Sequence, residues 1–175
     1  MTEWCLCRFS NIRLRRMNEE YLKMGNFDTE GILKAAESQA AKQGRVLDYS
    51  DGSIAVLDEL LEFYREYFEE NQLSEQTVWN LAVLFGTYLG EALLRNGLAE
   101  QGYGWQLTGD GLPVLEKDSA NQMSPITKAE KRIKNGPVDS VKSFYDVAKV
   151  IAEGKLIPGK REKRPDTRTD GEEAT

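Results

Sequence analysis

One stretch of this chain holds polar and aromatic groups at spacings that could do chemistry: Gly86, Tyr88, Gly90 and Glu91, with Arg95 four residues further on and Trp105 across the next loop. On a helix, Glu91 and Arg95 share a face in the favourable i,i+4 orientation. With Trp105 as a cover they would line a small-ligand pocket between helix and strand, with Tyr88 beside them. The alternative is a structural ion pair that ties the helix to a hairpin, and without a second carboxylate at catalytic spacing this reading is preferred.

The sequence contains no histidine. That removes the commonest general base and metal ligand, and with it Ser-His-Asp and Cys-His catalysis and histidine-containing zinc sites. Cys5-x-Cys7 could hold a soft metal, but a tetrahedral site needs four ligands and there is no further Cys or His. No catalytic residue, metal ligand or cofactor is therefore assigned, and binding is favoured over catalysis.

Charge gives a second candidate. The chain carries 23 basic and 29 acidic side chains, net −6. All of the acidic excess lies before Lys117. Asp58, Glu59, Glu62, Glu66, Glu69 and Glu70 sit on one side of a segment whose opposite side reads Ile54, Leu57, Leu61, Tyr64, Phe68 at alternating spacings of three and four. The expected product is an amphipathic helix with an acidic ridge able to steer a partner with a basic surface. Two plainer readings compete: a solvated face, or pairing inside the molecule with a basic helix bearing Lys128, Lys131, Arg132 and Lys134. Nucleic acid is not expected as a ligand, because phosphate contacts need a positive field.

These residues must be placed by a modest set of elements. Asp28 is a good N-cap for a helix carrying Ile32, Leu33, Ala36 and Ala40 inward and ending at Gly44. The acidic helix starts at Ser50 or Asp51. Ser74 caps a third, central helix, with Leu73 and Val78 as a hydrophobic staple; it runs to Arg95 and closes at Gly97. Within it Ala82, Gly86 and Gly90 recur every four residues. Each internal glycine costs about 1 kcal/mol against alanine, so the ridge predicts close approach of another helix or strand.

From Gly102 the spacing shortens to runs at Tyr103–Leu107 and Pro113–Glu116 around Thr108–Gly111, which predicts a β-hairpin, with Asn121–Ser124 as a third strand. Ser124-Pro125 opens a basic helix that ends at Asn135-Gly136-Pro137. Asp139 caps a last helix with Val141, Phe144, Tyr145, Ala148 and Ile151 inward, ending at Gly154. The fold class expected is α+β, helices packed on a small antiparallel sheet, either a hairpin or a three-stranded meander. Residues 25–153 form one domain, 1–24 an extension with Met17 and Met24 as alternative starts, and 154–175 a disordered charged tail.

The amino terminus lacks the order of a secretory signal, and no run approaches the ~18–20 apolar residues of a bilayer span, so a cytoplasmic location without a membrane partner is expected.

Several strings together resemble a family of small bacterial proteins catalogued as a domain of unknown function: Leu47-Asp48-Tyr49-Ser50 before an acidic helix, Phe85-Gly86-x-Tyr88-Leu89-Gly90-Glu91, Trp105, and Ser124-Pro125 before a basic helix ending in Asn135-Gly136-Pro137-x-Asp139-Ser140. The resemblance covers about residues 46–153 and brings no assigned reaction. The loop from Gly97 to Gly104 departs from its pattern. Small acidic proteins of this sort are similar to immunity partners of secreted bacterial toxins, which makes a basic toxin one form the expected protein partner could take.

Overall fold

The computed structural model describes residues 28–71 and 74–153. The Cys5-x-Cys7 pair, the 1–24 extension, the 154–175 tail, Gly154 and the Leu73 half of the staple lie outside the described residues.

Helix α1 spans Thr29–Lys42, α2 Asp51–Asn71 and α3 Glu75–Leu93. A kinked turn over Leu94–Leu98 leads to strands β1 (Gly104–Leu107), β2 (Pro113–Asp118) and β3 (Asn121–Met123). Helix α4 covers Pro125–Asn135, a 3-10 turn Gly136–Asp139, and α5 Val141–Ala152. The strands form an antiparallel meander in the order β1-β2-β3, with Trp105 opposite Leu115 and Leu115 opposite Met123. The α+β expectation, in its meander form, is what the chain builds.

Local chemistry sets the helix starts. Asp28 accepts the Gly31 N–H at 3.1 Å and Ser74 accepts the Thr77 N–H at 3.2 Å, each satisfying an amide the first turn leaves over. Two other caps differ from expectation. Ser124 makes no side-chain cap; its carbonyl accepts from Lys128 instead. The cap of α5 is Ser140, whose hydroxyl accepts from Ser143 N–H, because the 3-10 turn through Pro137 carries Asp139 back toward Lys128 and Asn135.

Helix α3 is the centre of the fold. It packs against α1, α2, α4 and α5 and is buried on nearly all sides from Val78 to Leu93. Glu75–Leu98 is long and apolar enough to span a membrane by length and composition, but 72% of that window is buried within the protein. An all-round apolar helix enclosed by other helices is a core helix.

The small-residue ridge does what its spacing predicts. Ala82 is fully buried. At Gly86 an added Cβ would stand 3.0 Å from the Pro125 carbonyl oxygen and run into the Ile126 backbone; at Gly90 it would run into the Trp105 ring. A helix (α4) thus approaches the α3 backbone at Gly86 and the Trp105 ring of β1 fills the notch at Gly90, and their dispersion contacts offset the glycine cost. Helical backbone angles continue past Leu93 through Leu94 to Arg95, where the sequence places the end of the helix. Non-helical angles at Asn96 and Gly97 (φ 121°) break the helix there, with Gly97 closing it.

Candidate functional site

The polar groups converge where α1, α2 and α3 meet, around Tyr49. The loop from α1 is pinned by Leu47, buried in the core, and by Ser50, whose carbonyl and hydroxyl both accept the Ser53 N–H at the start of α2. Asp48 accepts the Ser50 N–H at 3.0 Å, closing a turn. The residue between them has nowhere ordinary to go. Among the described residues, Tyr49 is the non-glycine residue with a positive φ, 65°, a region that bulky side chains avoid.

Five contacts hold it there. Its N–H donates to the Tyr88 hydroxyl at 2.7 Å, and its carbonyl accepts from Asn96 Nδ2 at 2.8 Å. Its ring stacks on Tyr88 with centroids 4.7 Å apart, and the Arg95 guanidinium lies over it at 3.7 Å from the centroid. Its hydroxyl donates to Glu37 on α1 at 2.6 Å. Burial, and then the neighbouring Glu37 carboxylate, push the Tyr49 phenol well above its ordinary range. The Tyr88 phenol, fully buried, is raised for the first of these reasons.

Of the residues singled out in the sequence, three are brought together here. Tyr88 lies beneath Tyr49, Arg95 lies over it, and Glu91 accepts from Arg95 Nε at 2.9 Å. Burial would lower the Arg95 guanidinium, but Glu91 more than compensates and raises it. Trp105 lies on the other side of α3 from Tyr88. Its ring lies against Gly90, and two residues of helix turn through about 200°, so Gly90 and Tyr88 face away from each other. Between helix and hairpin, Trp105, Pro125 and Ile126 occupy the notches at Gly86 and Gly90.

The acidic ridge of α2 divides in two. Arg132 is not on the outer face of α4; it is 3% exposed and pairs with both Asp58 and Glu62. Asp58 also accepts the Val141 N–H at 2.7 Å and the Lys142 N–H at 3.3 Å, so one carboxylate of α2 holds α4 by charge and the start of α5 by its free amides. Burial would raise the Asp58 and Glu62 carboxyls, but Arg132 outweighs it and both lie below their ordinary range. Glu59 pairs with Arg45, and Glu69 with Arg65. Glu66 remains exposed, with no ion pair among the described residues.

The residues that sequence reasoning missed are Tyr49, Asn96, Ser53 and Glu37. The string Asp48-Tyr49-Ser50-Asp51 did carry a signal: a bulky aromatic between two turn-forming polar residues, immediately before a helix, is an uncomfortable place for a ring.

No family model, curated protein or solved structure matches the chain. The likeness to a small bacterial family therefore rests on the sequence strings alone.

Proposed function

We propose that this chain is a protein-binding module that engages a partner with a basic surface through the face built on Tyr49, Arg95, Glu37 and Asp48; an immunity-type neutraliser of a basic toxin is the narrower form of this reading. One observation carries it: a tyrosine held at φ 65° by five contacts, half-exposed at the surface. Strained backbone persists only where surroundings over-determine it, and such strain concentrates at functional sites.

The composition of this face supports the reading. Tyrosine and arginine dominate the energetics of protein interfaces, and a ring held in one orientation loses little entropy on binding. Glu37 and Asp48 flank it, and among the described residues neither has an ion pair. Residues 25–153 carry 12 basic and 21 acidic side chains, so 12 − 21 = −9, a field that speeds encounter with a basic partner. The ridge of α2 is the weaker surface, since Asp58 and Glu62 are committed to Arg132.

The test is a photo-crosslinking residue placed at Val46, 75% exposed two residues before Asp48, with Val138, 84% exposed, as the control position. In host cells the first position should give one adduct with a basic protein, lost on Asp48→Lys, and the control should give none. No adduct at Val46, or equal adducts at both positions, contradicts the proposal.

A further inference from the structure

We infer that the Asp48–Ser50 turn is a two-state latch, able to lift Tyr49 off Tyr88 while the rest of the domain stays folded. The inference comes from what the gripping groups do when Tyr49 leaves. Three of the four have a second partner already in place, and the fourth reaches solvent. The Tyr88 hydroxyl is also hydrogen-bonded to Ser53 Oγ at 2.7 Å. Asn96 Nδ2 also donates to the Ala92 carbonyl at 2.7 Å. Arg95 keeps Glu91. Glu37, half-buried on α1, can take water in place of the phenol.

A buried polar group that loses its only partner bears the full desolvation penalty, and that penalty is what usually locks a loop shut. Here it is absent from all three buried or half-buried gripping groups, while the left-handed backbone strain at Tyr49 is relieved on opening. The moving part is short because its flanks are fixed: Leu47 is in the core, and Ser50 caps α2 through Ser53. Opening bares one face of the Tyr88 ring, with Arg95 and Glu91 at its rim. The latch gates the face proposed above and depends on that proposal only for its use; its existence is a property of the free protein.

Native-state hydrogen exchange on the full chain without a partner tests it, read amide by amide across a urea series below the unfolding transition. The Tyr49 amide should exchange at least ~100-fold faster than the amides of Leu84–Leu89 in α3, at a rate insensitive to urea, as local openings are. Asn96→Ala removes one grip and should speed the Tyr49 amide by a further ~5–10-fold while leaving the α3 amides unchanged. If the Tyr49 amide instead follows the α3 amides with the same urea dependence, or if Asn96→Ala speeds all of them alike, there is no latch. A latch without a crosslinked partner, or a partner without a latch, separates the two proposals.

Discussion

The Tyr88 hydroxyl, fully buried at the centre of α3, accepts the backbone N–H of Tyr49 at 2.7 Å. A core side chain thereby sets the backbone of a surface turn. Tyr88→Phe keeps the ring and removes the acceptor, stranding the Tyr49 amide and one of the Ser53 contacts. The expected cost is about 1–3 kcal/mol by urea unfolding, with the largest chemical-shift changes at Tyr49 and Ser53.

Gly86 and Gly90 differ in what they touch, and so should their alanine variants. An extra carbon at Gly86 meets backbone of Pro125 and Ile126, which cannot move without shifting α4; at Gly90 it meets the Trp105 ring, a side chain that can tilt. Gly86→Ala is expected to lose about 2–3 kcal/mol despite the better helix propensity of alanine, and Gly90→Ala about 1 kcal/mol less than that. Thermal unfolding of the two variants side by side checks the order, and equal losses would show that the α4 backbone yields as readily as the ring.

These glycines show how much of the fold was legible in the sequence. Spacing of four on one helix is a local pattern, and it named the close approach correctly, as the caps Asp28 and Ser74 and the turn at Thr108–Gly111 named theirs. What was not legible depends on elements far apart in the chain. Arg132 reads as one more charge on a basic helix until α2 is folded against it, and Asp58 as one more acid on a ridge until the start of α5 arrives. Asp139 and Ser140 are both good caps, and only the 3-10 turn through Pro137 decides between them. The site was half legible: the α3 spacing united Tyr88, Glu91 and Arg95, but Tyr49 sits 39 residues from Tyr88 and its φ is a tertiary outcome.

Arg132→Met tests the inner half of the ridge. Methionine keeps much of the volume but leaves Asp58, mostly buried, without its cation and Glu62 with Arg65 alone. Breaking one side of such a pair is expected to cost about 3 kcal/mol, read from urea unfolding at neutral pH. A loss below about 1 kcal/mol would place the network with ordinary surface pairs.

Acid should reveal the same network. Asp51, Asp58, Glu62 and Asp139 are all held below the ordinary carboxylate range, Asp51 by Lys149 and Tyr145, Asp139 by Lys128 and Asn135. As pH falls, the unfolded chain takes up protons before the folded one, so unfolding is favoured. Their stabilisation is complete above about pH 5 and declines as pH drops through about 4 and below. Melting temperatures from pH 7 to 3 should be flat and then fall, with a shallower fall in Asp58→Asn, whose amide does not titrate. An equally steep fall in that variant would assign the acid sensitivity elsewhere.

The most direct test of the functional account compares two charge reversals in co-purification from the host at low salt. Glu37→Lys with Asp48→Lys alters the Tyr49 face; Glu66→Lys with Glu70→Lys alters the outer edge of α2 by the same charge. The account expects the first pair to abolish recovery of a basic partner and the second to leave it within about twofold, since steering by distant charge is weak beside contact. Recovery that survives at the Tyr49 face and fails at α2 would contradict it.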